Sequence, residues 1–173
     1  MNKRSIAVLL ISISSIMTTA MADEVEQTQE QKAISALEFL TGNWSGPGQS
    51  IDNEGNVSEY HDTEFVRFDL DRNILLINAR GERDGQTVYQ LHTVIYFDSK
   101  KQHYFYTPYR GVEPRSFACN LVDRQFICFN DDRDFRLTFQ RLEDGRWNEF
   151  GERLVEGAWV KTFETKLTET VSD

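Results

Sequence analysis

The chain has 173 residues, with 19 basic against 28 acidic side chains and a net charge of −9 at pH 7. A surface that acidic repels nucleic acid and anionic lipid, so neither is expected as a partner. Three prolines and ten glycines exclude a low-complexity chain, and the length suits one domain with a sizeable core.

The first stretch is MNKRSIAVLLISISSIMTTAMADE. Lys3 and Arg4, an apolar run over 5–17 and the small-residue site Ala20-Met21-Ala22 predict a signal peptide over 1–22 and a mature start at Asp23. The alternative is an uncleaved anchor, for which the apolar run is short. This predicts a periplasmic or secreted protein with no integral membrane association after cleavage.

Residues 23–32 are polar and charged and read as an N-terminal arm, in which Thr28 and Gln31 carry a capping-box signal. Ala33, Ile34, Leu37 and Leu40 then recur at helical spacing, and Gly42 supplies the stop. Beyond Gly42 the period changes to two. Strand-like runs fall at 57–69, 74–80, 86–97, 103–110, 115–122, 125–130, 134–141, 146–155 and 158–168, separated by turn signals such as GERDG, VDRQ and VEG. With the stretch at Trp44 this makes about ten short strands. The predicted fold is an all-β, antiparallel up-and-down barrel over 33–170 with one short N-terminal helix. Closure removes the exposed edges that a long meander would otherwise carry.

The segment GNWSGPG (42–48) opens the barrel. Trp44 is expected to close one end with a large apolar ring. Gly46 and Gly48 suit a bend or a close backbone approach, and Pro47 suits a bulge or an edge. In the last strand Trp159, Lys161, Phe163, Thr165 and Leu167 share one face by alternation. Over 86–97 the odd residues Thr87 to Phe97 make the more apolar face.

Cys119 and Cys128 lie in SFACNLVDRQFICFN. If Asp123-Arg124 is a two-residue turn, Val122 pairs with Gln125 and Cys119 falls opposite Cys128 in a close, non-hydrogen-bonded pair. A disulfide then fits an oxidising compartment. Asp-Arg is not a favoured turn, and a longer loop would shift the register and leave two buried thiols. The three histidines, His61, His92 and His103, have no metal-ligand spacing.

Gly42-Asn43-Trp44 after a short helix resembles the first signature of the lipocalin and calycin barrels. Gly42-x-Trp44-x-Gly46-x-Gly48 resembles the opening of the nitrobindins, haem-binding ten-stranded barrels. Most of the chain after the leader is similar to a family of bacterial exported lipocalin-like proteins. The likeness runs through Phe97-Asp98 with Lys100-x-x-x-Tyr104, then Trp147-x-Glu149-x-Gly151-Glu152 and Glu156-Gly157-x-Trp159. The order of these pieces is more specific than any one of them. The nitrobindin likeness implies a haem held by a histidine near the C-terminus. AWVKTFETKLTET contains none, and His103 or His92 would have to substitute from another strand, so no cofactor is expected.

Candidate ligand-binding residues are Trp44, Tyr104, Tyr106, Trp147, Glu149 and Trp159. Glu149 alternates with Trp147 and Gly151, which would aim it into a cavity with a raised pKa. Its other reading is an exposed carboxylate tied to Arg153 or Lys161. Tyr104, Tyr106 and Tyr109 either line the mouth or belong to the core. His92 reads as a hydrogen-bonded structural residue. Asp131, Asp132 and Asp134 lack the glycine and closing glutamate of a calcium loop. No nucleophile elbow, phosphate loop or Ser/His/Asp order stands in the chain.

Three functional classes remain. The first is an exported barrel binding a small apolar or amphipathic molecule. The second is a small isomerase or hydrolase using Glu149 as acid or base. The third is a filled structural barrel with a protein partner. Two titratable groups within reach of one pocket would favour the enzyme; an apolar pocket with one polar group would favour binding.

Overall fold

The computed structural model describes residues 26–111 and 113–171. The predicted leader and its cleavage site lie outside the described residues. A helix, α1 (Gln29–Ser35), and a 3-10 turn (Glu38–Leu40) precede ten strands. These are β1 (Gly42–Ile51), β2 (Val57–Asp69), β3 (Ile74–Arg83), β4 (Gln86–Asp98) and β5 (His103–Tyr109), followed by β6 (Phe117–Val122), β7 (Gln125–Phe129), β8 (Phe135–Arg141), β9 (Trp147–Val155) and β10 (Ala158–Glu169). Each strand pairs antiparallel with the next, and β1 also pairs with β10, which closes the sheet into a barrel. The predicted all-β barrel with one short helix is the observed fold.

Two local differences have local causes. The helix begins inside the predicted arm because the Thr28–Gln31 capping box forms in both directions, at 3.2 and 2.9 Å. That satisfies two first-turn donors and nucleates the helix before its apolar face starts. β3 runs on to Arg83 because Asp84 and Gly85, both at positive φ, make a two-residue turn that pairs Arg83 with Gln86.

The helical segment covers one end of the barrel. Ile34, Leu37 and Leu40 are buried, the Tyr104 hydroxyl donates to the Ala33 carbonyl (2.9 Å), and Trp44 Nε1 donates to the Leu40 carbonyl (3.0 Å). Trp44 packs against Trp147 at 5.7 Å, and Phe139 meets Trp147 edge to face at 6.1 Å. These rings form the floor beneath which the helix lies.

The β6–β7 hairpin adopts the two-residue turn. Asp123 and Arg124 take φ of 49° and 62°, and the register runs from Val122 opposite Gln125 out to Cys119 opposite Cys128. The two cysteines are joined in a disulfide with Cα atoms 4.0 Å apart, so the free-thiol alternative falls. Left-handed backbone costs these residues little against a ladder that forms on both sides of the turn.

One alternation fails. In β10 the register slips between Lys161 and Phe163, so Phe163, Thr165 and Leu167 face inward while Trp159 and Lys161 face out. Trp159 packs on Phe129 at 6.2 Å, with the Arg136 guanidinium over its ring at 4.4 Å. A bulge adds one residue to one strand, and every side chain beyond it changes face.

Candidate functional site

The site grows from β2. Along SEYHDTEFVRF, Tyr60, Asp62, Glu64 and Val66 point into the barrel, while His61, Thr63, Phe65 and Arg67 point out. Glu149 comes from β9, opposite Phe139 on one side and Thr165 on the other. Inward glycines make the room. Gly48 lies opposite Tyr60, Gly81 opposite Tyr89 and Gly151 opposite Phe163, and a Cβ at each would stand 2.2–2.3 Å from the facing ring. Each ring therefore lies over a bare stretch of wall, where any side chain would displace it.

Above the Trp44–Trp147 floor is a cavity of about 460 Å³. Ile77, Ala79, Leu91 and Phe163 supply its apolar wall, and Asp62, Glu64 and Glu149 its acidic groups. It reaches the end opposite the helix, where Ser50, Arg83, Val88 and Arg110 form the rim. A larger open groove of about 680 Å³ crosses the outer wall by Asn78 and His92. Its histidine is exposed and bonded through Nδ1 to Asn78 at 2.6 Å, whereas the buried carboxyl groups are inside.

Asp62, Glu64 and Glu149 are 0%, 5% and 8% exposed. Burial pushes Asp62 up to about 6, against a weaker pull from Tyr89, the Thr63 backbone and His61. Glu149 is pushed up to about 8, first by burial and then by the charge of Asp62. Glu64 is held well above the usual carboxylate range by burial and by both neighbouring acids. Burial also raises Tyr60, Tyr89 and Tyr106, which keeps their phenols neutral.

Both Asp62 oxygens and Glu64 Oε2 lack a hydrogen-bond partner. Tyr89 stands beside Asp62 and Trp147 beside Glu149, without completing hydrogen bonds of ordinary geometry. A buried acceptor left in this state costs on the order of 1–3 kcal/mol. Among the described residues, no ion pair reaches the three acids.

Two of the six predicted ligand-binding residues, Tyr106 and Glu149, line the cavity. Trp44, Trp147 and Tyr104 are packed into the floor and the helix contact, and Trp159 is outside the barrel. The alternative that tied Glu149 to Arg153 or Lys161 is not what forms; Lys161 pairs with Glu164 at 2.8 Å. Sequence reasoning missed Asp62, Glu64, Tyr60 and Tyr89. A signal existed in β2, since Asp62 and Glu64 share parity with the apolar Val66 and Phe68.

The donor set of the inner cavity does not fit a haem. His61 bonds Ser45 (2.7 Å), His92 bonds Asn78 (2.6 Å) and His103 bonds Asn120 (3.1 Å), all on exposed positions. No histidine, cysteine or methionine among the described residues lines the inner cavity, and the phenols there are kept protonated, so the cavity offers no axial donor. Among the described residues, no group of three or more His, Cys, Asp or Glu is arranged to hold a metal ion.

No protein-family model and no curated protein matches this chain. In structure it is similar to Rv2717c from M. tuberculosis, with a TM-score of 0.59 and 11% sequence identity, over 80% of this chain and 98% of that one. At that identity the likeness shows the barrel fold and carries no activity with it.

Proposed function

We propose that this protein binds a small amphipathic molecule inside its barrel after export from the cytoplasm. The observation that carries the reading is a cavity of about 460 Å³ whose buried carboxyl oxygens have no hydrogen-bond partner. A ligand with N–H or O–H donors supplies those bonds, while Ile77, Leu91 and Phe163 cover its apolar part. The acidic lining narrows the earlier expectation, because a wholly apolar ligand would leave every one of these acceptors bare. The open interior also removes the ground for a filled structural barrel.

Native mass spectrometry of protein purified from its own periplasm without detergent should find a bound small molecule. A fluorescent apolar probe should quench tryptophan emission saturably, through Trp44 and Trp147 beneath the cavity. A ligand-free mass together with a flat titration would overturn the reading.

Export rests on the leader pattern and on the Cys119–Cys128 disulfide, which an oxidising compartment permits. No described helix is long and apolar enough to cross a membrane. N-terminal sequencing of the exported protein is expected to begin at or near Asp23; a chain still starting at Met1 contradicts it.

A second reading, acid/base catalysis, is favoured by one observation. Glu64 and Glu149 interact directly and share one cavity with Tyr106, which meets the requirement for two titratable groups in reach of one pocket. Turnover of an ester or isomerisable substrate that disappears in Glu149→Gln would promote it above simple binding.

A further inference from the structure

The interior of the barrel is chemically one-sided. Three carboxyl groups line the cavity, Asp62 and Glu64 from β2 and Glu149 from β9, and the two basic side chains that also line it, Arg83 and Arg110, stand at its mouth. The phenols of Tyr60 on β2, Tyr89 on β4 and Tyr106 on β5 face it as well. The nearest cations stay at the rim. Arg83 on β3 donates from Nε to the Glu59 carbonyl at 2.8 Å, and the Arg110 guanidinium, just past β5, lies 5.8 Å over the Tyr89 ring.

Three buried oxygens, both of Asp62 and Oε2 of Glu64, have no hydrogen-bond partner, although the Tyr89 phenol stands beside Asp62. An ionised carboxylate accepts hydrogen bonds and cannot give one. A carboxylate or phosphate head would bring a negative charge beside Asp62, which burial holds at about 6 and which is ionised at about pH 7.5, so like charges would meet in a low dielectric. A hydroxyl head brings one donor and no charge. An ammonium brings three donors with a positive charge that the inner part of the cavity, beyond Arg83 and Arg110 at the mouth, lacks, and charge-assisted bonds are about twice as strong as neutral ones.

Building on the binding reading above, we propose that the ligand's polar head is a protonated amine, seated among Asp62, Glu64 and Glu149. Its apolar part then lies along Ile77, Leu91 and Phe163 and points to the rim. Proton linkage follows. Burial holds Asp62 up at about 6 and Glu149 at about 8, so part of the cavity is protonated near neutrality. An incoming ammonium favours the ionised carboxylates and expels protons. Amine affinity therefore rises with pH across this window, in which an alkylamine itself stays charged.

The test is calorimetric titration of the oxidised, exported protein with octylammonium chloride, octanol and sodium octanoate at about pH 7.5, in two buffers of unlike ionisation enthalpy. Octylammonium should bind at least about tenfold tighter than octanol, with octanoate weaker than both, and only octylammonium should release protons. In the Asp62→Asn/Glu149→Gln double variant, which removes the charge and keeps an amide oxygen at each position, the ammonium advantage over octanol should vanish while the tryptophan emission of the folded state persists. Octanoate or octanol binding as tightly as octylammonium, or ammonium binding without proton release, overturns the amine head and leaves the binding reading standing. Silence from all three ligands and from the fluorescent apolar probe overturns both. Should the double variant fail to fold, the ranking of the three ligands on the unaltered protein and the proton release decide the matter alone.

Discussion

At the residue scale, Trp44 and Gly48 show how one short segment serves two ends of the interior. Trp44 is 1% exposed, hydrogen-bonded to Leu40 and packed at a tilt against Trp147, so the ring joins the helix to the barrel floor. Trp44→Ala is expected to cost about 3–5 kcal/mol in denaturant unfolding, since the floor cannot collapse into so large a void. A loss under about 1 kcal/mol would show that the ring is not part of a packed floor. Gly48 has a different duty, because a Cβ there would meet the Tyr60 ring at 2.2 Å. Gly48→Val should destabilise by about 1–3 kcal/mol through overpacking. Adding Tyr60→Ala should recover part of that loss, and additive effects in the double variant would refute the clash.

At the scale of the element, the β6–β7 hairpin makes the sharpest test. Its disulfide closes a short loop across one register pair, with the cysteines 9 residues apart. The chain-entropy account gives about 2–3 kcal/mol for so short a loop. Unfolding midpoints with and without reductant should differ accordingly; coincident curves would mean that ladder and packing hold the hairpin unaided. This register was readable because a two-residue turn dictates every pair outward from it. β10 marks the limit of the same logic. Its alternation is legible on each side of the slip between Lys161 and Phe163, yet the slip leaves no compositional mark, and Trp159 was placed on the wrong face as a result.

At the scale of the whole molecule, the acidic interior sets a pH dependence of stability. Asp62, Glu64 and Glu149 are raised in the folded state, mainly by burial, so the folded chain binds more protons than the unfolded one across the window above the ordinary carboxylate range. Their contribution is complete below about pH 4 and is lost as pH rises through about 6 for Asp62 and about 8 for Glu149. Exposed acids such as Asp52, Asp69 and Asp144 are lowered by hydrogen bonds, so they act oppositely, losing stability as pH falls through their own range. The ligand-free protein should be most stable near about pH 4.5 and lose a few kcal/mol by about pH 8.5. Denaturant midpoints across that range, flattened in Asp62→Asn and Glu149→Gln, would confirm it. A midpoint that rises steadily with pH would show that the three carboxyls are not buried as protonated acids.

Most of the architecture was determined by the chain's local chemistry. Strand number, the limits of β2, the hairpin turns and the pairing of Cys119 with Cys128 depend on a period of two and on turn residues that act within a few positions. Glu149 could be aimed inward on its alternation with Trp147 and Gly151. Which inward residues share a cavity was decided elsewhere. Asp62 and Glu64 on β2 reach Glu149 on β9 across β1 and β10, and they meet because closure folds the sheet round on itself. Closure also consigns Trp44, Trp147 and Tyr104 to the floor and leaves the space above to Tyr106 and the acids. Alternation tells a residue its face. Distance across a closed barrel depends on every strand between, and no local pattern in the sequence carries that information.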